Sequence, residues 1–444
     1  MPINPTIFKS YDIRGIYPSE LNEEVAFQIG REFAKKTKAK NMVLGYDARL
    51  SSLTLMKAFA TGAMAEGAKI FNIGQVPTEC VYFSVGNYDF DTGVMVTASH
   101  NPKEYNGFKM LKKDGDKIAM IRGKDLASVV EQNSGQEVKI VEPEKKDIWK
   151  DYWGRVLSFS DLSEISPLKI IVDASNGVAG SAISKIKDKL PVEIIDLNFE
   201  PDGNFPNHSP NPLEKDSVNK IAETIKSEKA DFGLMFDGDG DRIFLVDEQG
   251  NLVRADVVLL LLAKYFLKKN PGMAVAYNAI CSRAVPNFVK KWGGIPIRTQ
   301  VGFVNVRDSL MQNNGIMGGE LSGHYCFKDY YYMDSGMIAF LILLQNFSKD
   351  SRSVSEIVKE LSPYVKSPEL NFKIDNKEEV LEKVKQKYTD GKQDYLDGVT
   401  VEYDNWWFNV RPSNTEPLLR LTIEANTVEL LADKKRELIK FISA

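Results

Sequence analysis

Cysteine and histidine are both scarce in this chain, with three of each among 444 residues. Cys80, Cys281 and Cys326 are odd in number and widely spaced, which argues against a disulfide framework and against a cysteine-based zinc site. A reduced, cytoplasmic setting is the expectation. Long apolar runs are missing too. The longest, 257–267, is broken by Lys264 and falls far short of the roughly 20 residues that span a bilayer. The opening MPINPTIFKS lacks the basic-then-apolar pattern of a secretory signal, so the N-x-S matches at Asn207 and Asn346 are read as chance. Neither sign of charge dominates: 57 basic against 61 acidic residues leave a net charge of −4, with no long basic run. No nucleic-acid partner and no membrane partner are expected.

What is present is ordinary globular material, 43% hydrophobic and 27% charged, at a length that predicts about three or four domains. Residues 41–44, 69–73 and 93–96 read as strands, and 52–66 is apolar at helical spacing. The stretches 103–135 and 142–150 read as surface structure leading to a boundary. The pattern restarts at Pro167, with strands over 168–173, 192–196 and 230–236, and again near Arg254. There 257–267 is helical, 273–277 is a strand, and 335–347 is a helix with Asp334 or Ser335 placed to cap it. The last stretch differs: 371–392 is highly charged, 398–408 and 418–424 read as antiparallel strands, and 428–442 as a closing helix. The expected fold class is α/β in four domains: 1–152, 153–253 and 254–366 with largely parallel sheets, and 367–444 as α+β.

One motif sits between two of these strands: Asp237-Gly238-Asp239-Gly240-Asp241-Arg242. Carboxylates at i, i+2 and i+4 converge in a looped backbone, and the glycines let it bend. Held that close they repel unless a cation neutralises them, and a hard divalent ion suits oxygen ligands. Two other readings stand beside this one. One is a solvated acidic turn. The other is an EF-hand, for which Asp237, Asp239, Asp241 and Glu248 have the spacing, although Arg242 stands where that loop needs glycine. Arg242 beside the carboxylates suits a phosphate, which a guanidinium grips with two hydrogen bonds.

The second motif is Thr97-Ala98-Ser99-His100-Asn101-Pro102. Pro102 disfavours helical geometry at Asn101, so the serine is expected on a tight turn. Ser99 beside His100 is weak evidence for a nucleophile by itself, since catalytic partners meet in space rather than in sequence.

These two motifs belong to a longer series: Phe8-Lys9-Ser10-Tyr11-Asp12-Ile13-Arg14-Gly15, the serine motif, Asn106-Gly107-Phe108-Lys109, Pro201-Asp202-Gly203-Asn204-Phe205-Pro206, the acidic motif, Gly319-Glu320-Leu321-Ser322-Gly323-His324, and Arg411-Pro412-Ser413-Asn414-Thr415-Glu416-Pro417. In this order, over the whole chain, the series resembles the α-D-phosphohexomutase family, most closely bacterial phosphomannomutase/phosphoglucomutases. The resemblance implies a heart-shaped four-domain enzyme with a central cleft. It implies that Ser99 is a phosphoserine, and that Asp237, Asp239 and Asp241, with an oxygen on Ser99, bind Mg²⁺. Arg14, His100, Lys109 and Arg242 would surround the transferring phosphoryl group. Glu320, Ser322, His324 and Tyr11 would face the sugar, while Arg411, Ser413, Asn414 and Thr415 would hold the phosphate that is not reacting.

The implied reaction exchanges phosphate between the 1- and 6-positions of a hexose phosphate through a hexose 1,6-bisphosphate, which also primes the dephosphorylated enzyme. Lys109 or His100 would serve as general base, Lys109 only if neighbouring cations lower its pKa. Glu320 and Ser322 gripping two sugar hydroxyls would not distinguish mannose from glucose, so both phosphates are expected substrates, glucosamine phosphate less so. Phe303 and Ile280 depart from the histidine and lysine found in some relatives. His208 is expected to be structural. A phosphosugar phosphatase and a Ca²⁺-binding module are the competing functions, and a monomer or small homo-oligomer is expected.

Overall fold

The computed structural model describes residues 3–127, 141–374, 376–413 and 418–443. They divide into two compact units, one of residues 1–253 with 323–355 and one of 254–322 with 356–444. Among the described residues no helix is long and apolar enough to cross a membrane.

The first unit carries two sheets. In the larger, strands Ile13–Ile16, Tyr105–Asp114, Thr92–Val96, Asn41–Tyr46, Lys69–Gln75 and Glu144–Lys145 lie side by side in that order. Asn41–Tyr46 runs parallel to both Lys69–Gln75 and Thr92–Val96, while Tyr105–Asp114 is antiparallel to its neighbours. Helix Glu23–Thr37 starts where Asn22 accepts a hydrogen bond from the Val25 N–H, and places Glu23 and Glu24 in its first turn and Lys35 and Lys36 in its last, as the helix dipole favours. It packs on helix Ser52–Ala65 at backbone contact: a Cβ on Gly62 would stand 2.0 Å from the Phe27 carbonyl oxygen, and one on Gly30 2.1 Å from that of Phe59. Phe33, Phe59 and Phe108 fill the core beneath.

The second sheet places Ile243–Val246, Phe232–Phe236, Lys169–Asp173 and Glu193–Leu197 side by side. Phe232–Phe236 is parallel to Lys169–Asp173 and antiparallel to Ile243–Val246, so it delivers the chain straight into the acidic motif and out again. Both flanking strands are wholly buried, in keeping with their unbroken apolar runs. Helix Gly336–Ser348 covers this region, its N-cap Ser335 accepting from the Ile338 N–H and Phe347 lying 4.8 Å, ring to ring, from Phe232.

In the second unit, Ile295–Thr299, Ala274–Asn278 and Met317–Gly319 form a parallel array with helices Ala255–Lys269, Ala284–Lys291 and Phe303–Gln312. An antiparallel sheet follows, with Leu418–Ala425 paired to Trp406–Pro412 on one side and to Val365–Lys366 and Leu370–Lys373 on the other, and helix Val428–Ile442 closes the chain.

The structure departs from the sequence expectations at several places. Within the expected surface stretch 103–135, Tyr105–Asp114 is instead an inner strand whose residues Asn106 to Leu111 are buried. Its buried half carries Asn106 and Lys109 and its outer half Lys112, Lys113 and Asp114, so no period-2 pattern announces it. Residues 398–408 form two strands, Val399–Glu402 and Trp406–Pro412, with the Tyr403 N–H bonded to Trp406 O across an Asp-Asn turn. Helix Trp149–Leu157 runs through the expected boundary at 152/153.

Gly62→Ala tests the helix crossing. Alanine gains about 1 kcal/mol in helix propensity, but forcing apart two backbones costs about 3 kcal/mol, the upper end for overpacking. Urea unfolding should show a net loss of about 2 kcal/mol, and unchanged stability would contradict the contact.

Candidate active site

Ser99 lies just past the end of strand Thr92–Val96, fully buried and with a φ of 51°. A left-handed conformation at a non-glycine residue costs about 1–2 kcal/mol, so the surroundings must impose it. Thr97 Oγ1 accepts the Ser99 N–H at 2.7 Å. The Ser99 hydroxyl donates to Asp237 Oδ2 at 2.9 Å and lies 3.3 Å from His100 Nδ1.

The acidic motif backs directly onto this turn. A Cβ on Gly238 would stand 2.9 Å from the Ser99 carbonyl oxygen, so only glycine permits the approach. Asp237, Asp239 and Asp241 are all buried, and one oxygen from each falls within 4.8 Å of the others. Asp237 Oδ1 accepts the Arg242 N–H at 3.2 Å. Asp239 Oδ2 accepts from the Thr78 and Thr97 hydroxyls at 2.6 and 3.2 Å and from Lys109 Nζ at 2.7 Å. Asp241 Oδ2 accepts from the same ammonium at 2.5 Å. Asp239 Oδ1 and Asp241 Oδ1 are buried without a hydrogen-bond partner.

Burial of this depth excludes a solvated turn. The EF-hand fails as well: strands rather than helices flank the loop, and Glu248 accepts from the Ser355 N–H at 3.0 Å instead of joining the carboxylates.

Charge sets the electrostatics. Burial, then the neighbouring Asp239 and Asp241, hold the Asp237 carboxyl well above the usual range against the pull of Arg242 and Lys109. Burial would also raise Asp239, but Lys109, the Thr78 hydroxyl and Arg242 together outweigh it and hold that carboxylate below its ordinary value. Burial alone would lower the Lys109 ammonium; Asp239 and Asp241 reverse this and hold it above its ordinary value. The carboxylates facing Lys109 therefore oppose the lowered pKa expected of a general base. His100 is held well below the ordinary histidine range by burial, then by Arg242 and Arg14, and is a neutral imidazole.

The other cations are in place. Arg14 Nε pairs with Asp12 at 2.8 Å, and its Nη1 donates to Ala98 O and Asn101 Oδ1 on the serine turn at 3.2 and 2.6 Å. Arg242 Nε lies 3.5 Å from Asp237 Oδ2 and 3.1 Å from His324 Nε2, which marks that nitrogen as the acceptor and puts the His324 proton on Nδ1. His324 Nε2 is also 3.6 Å from Asp241 and 3.7 Å from Asp334, whose buried carboxylate oxygens have no hydrogen-bond partner. Tyr11 is half-buried, three residues before Arg14. His208 lies between Asp173 Oδ2 at 3.1 Å and Ser209 O at 2.8 Å.

In the second unit, Glu320 is buried; its Oε2 accepts the Gly302 N–H at 3.1 Å, and the Ser322 hydroxyl donates to its Oε1. Arg411 is buried on strand Trp406–Pro412 and donates to Glu369 at 2.8 Å, while Arg420 takes the other Glu369 oxygen at 2.9 Å. The Ser413 N–H bonds Leu418 O at 2.8 Å. Asn414 and Thr415 lie outside the described residues. Phe303 opens helix Phe303–Gln312, and the carbonyl of buried Ile280 accepts from Lys366.

Sequence reasoning missed Thr78 and Arg49 around the serine. Their partners are distant in the chain, 161 residues for Thr78 and Asp239, and no local spacing marks them.

Comparison with known proteins agrees with the geometry. Family models for phosphoglucomutase/phosphomannomutase alpha/beta/alpha domains I, II and III match residues 5–136, 150–250 and 254–364, and the model for the C-terminal domain matches 369–440. Phosphomannomutase of Methanocaldococcus jannaschii is 36% identical, with 98% of this chain and 97% of that protein covered. Phosphomannomutase of Escherichia coli strain K12 is 34% identical, with 99% of each covered. Among solved structures, a phosphoglucomutase/phosphomannomutase family protein from Burkholderia thailandensis superimposes with a TM-score of 0.89 at 31% identity, over 99% of this chain and 97% of that one. The chain belongs to the α-D-phosphohexomutase family, among its phosphoglucomutases and phosphomannomutases.

The carboxylate set fits a metal ion: two partnerless, buried oxygens and mutual repulsion are what a hard dication relieves. Asp241→Asn should weaken Mn²⁺ binding, measured by titration calorimetry, by roughly tenfold or more. Affinity equal to wild type would remove Asp241 from the metal site.

Proposed function

We propose that this protein is a phosphohexose mutase that exchanges phosphate between the 1- and 6-positions of mannose and glucose phosphates, with Ser99 as the phosphate carrier. One observation carries the reading: the Ser99 hydroxyl, buried and left-handed, bonds a carboxylate of a three-aspartate cluster ringed by Arg14, Lys109 and Arg242. Phosphoryl transfer needs positioning and charge neutralisation more than covalent help, and this site is built of both.

Mg²⁺ held by Asp237, Asp239, Asp241 and an oxygen on Ser99 would neutralise charge on the transferring phosphoryl group. Arg14 and Arg242 hold that group's oxygens, and Lys109 keeps a positive charge over the same space. Phosphorylated Ser99 donates to the free hydroxyl of the hexose phosphate. The resulting 1,6-bisphosphate reorients, and its other phosphate returns to Ser99. His100, a neutral imidazole whose Nδ1 is 3.3 Å from Ser99 Oγ, is assigned to take the proton of the attacking sugar hydroxyl and return it to the serine oxygen as the Ser99 O–P bond breaks. Glu320, its geometry locked by Ser322 and the Gly302 N–H, takes the sugar hydroxyls. Arg411, aligned by Glu369, takes the phosphate that is not reacting, with Ser413, Asn414 and Thr415. Relatives named phosphomannomutase support mannose as one of the sugars.

In a coupled assay with Mg²⁺ and glucose 1,6-bisphosphate, wild type should convert mannose 1-phosphate and glucose 1-phosphate to their 6-phosphates. Ser99→Ala should lose roughly a thousandfold or more of that rate, the scale of losing a nucleophile. Release of inorganic phosphate without isomerisation would instead make the protein a phosphatase.

Phosphatase-treated enzyme should start slowly and be activated by catalytic glucose 1,6-bisphosphate, with a gain of one phosphate in intact mass. Full initial activity without the bisphosphate would contradict the phosphoserine cycle.

A further inference from the structure

The serine turn is held from inside by one side chain. Arg49 follows strand Asn41–Tyr46, and its side chain is wholly shielded from solvent. Its Nη2 donates to Ser99 O at 2.7 Å and Asn101 O at 2.6 Å, and its Nη1 to Pro102 O at 2.6 Å and Tyr105 O at 3.0 Å. Nε pairs with Asp47 Oδ2 at 3.1 Å, and Asp47 Oδ1 also accepts the Arg49 N–H at 3.0 Å. The ring of Phe205 lies 5.3 Å over the guanidinium.

A guanidinium has five N–H donors in a rigid plane, and these five contacts use them all. None is left for a substrate. The four carbonyls it gathers are that of left-handed Ser99 and three from the residues that follow it. Pro102 O also accepts the Tyr105 N–H at 3.0 Å, but the Ser99 carbonyl, on a fully buried residue, would lose its charged donor without the arginine. The Ser99 carbonyl is also the atom against which Gly238 of the acidic motif is packed. One group therefore sets both the backbone angle of the serine and its distance from the carboxylates.

We propose that Arg49 is a positioning residue for phosphoryl transfer, holding the serine turn so that Ser99 Oγ meets the acidic motif. This rests on the reading of Ser99 as phosphate carrier. Lysine cannot replace the arginine, because one ammonium offers three donors from a single point where a planar fan of five is used.

The test compares wild type, Arg49→Lys, Arg49→Ala and Phe205→Leu as full-length enzyme, with Phe59→Leu, a core change away from the turn, as a control for lost stability. A displacement of about 1 Å at a reacting atom costs about a hundredfold in rate. Arg49→Lys should therefore lose about a hundredfold in kcat, with KM for glucose 1-phosphate within threefold of wild type, whereas Phe59→Leu should keep its kcat. Millimolar guanidinium should recover at least tenfold of the kcat lost in Arg49→Ala. If neither Arg49 variant is recovered folded, Phe205→Leu decides: it keeps the arginine but uncovers it, and kcat should fall at least threefold at constant KM. Wild-type kcat in Arg49→Lys, or in Phe205→Leu when that variant decides, would overturn the proposal. So would an equal loss in Phe59→Leu, or absence of rescue in a folded Arg49→Ala. If Ser99→Ala keeps its activity, the phosphate-carrier reading fails instead.

Discussion

Three buried carboxylates with oxygens within 4.8 Å of one another are the constraint around which the first unit is organised. Two like charges 4 Å apart repel by about 4 kcal/mol even at an effective dielectric of 20, so the cluster survives only among cations. Lys109 comes from the inner strand Tyr105–Asp114 and meets two of the aspartates at once. Arg242 follows the acidic motif itself, and Arg14 comes from the edge strand Ile13–Ile16. A site built to balance charge in this way is poised for a ligand that brings negative charge and a dication together, as a phosphate ester with its metal does. The same balance explains why a lysine in this position is an ammonium: its field is made by carboxylates, and burial loses to them.

Precision comes from backbone contact rather than from flexible side chains. The acidic motif presses on the Ser99 carbonyl, and Thr97 and Arg49 take up the amide and carbonyl groups that a left-handed serine would otherwise strand in the interior. In the second unit the same logic is seen in polar pairs. Glu320 is fixed by Ser322 and Gly302, and Glu369 bridges two arginines on neighbouring strands, so that Arg411 is oriented before any ligand arrives.

Much of this was legible in the sequence where burial is two-sided. The apolar runs before Asp237 and at 168–173 read directly as strands, and both are strands in the structure. Ser335 rather than Asp334 proved to be the cap of helix Gly336–Ser348, which leaves Asp334 to face His324. The strand Tyr105–Asp114 was illegible because its buried positions hold an amide and an ammonium, whose partners Ser51, Asp239 and Asp241 are supplied by other elements. Lys109 was thus named by resemblance to a family and not by its pattern. The aspartate cluster was legible from its glycine spacing. Arg49 and Thr78 were not, since one satisfies carbonyls 50 to 56 residues away and the other an aspartate 161 residues away.

The central claim is that phosphate resides on Ser99 between the two halves of the reaction. It is tested most directly by charging the enzyme with ³²P, mixing it with unlabelled glucose 1-phosphate, and quenching on the millisecond scale. The account predicts that label leaves the protein at the rate of turnover and enters first a hexose bisphosphate and then a hexose monophosphate. Label that stays on the protein during turnover, or leaves it as inorganic phosphate, would contradict it.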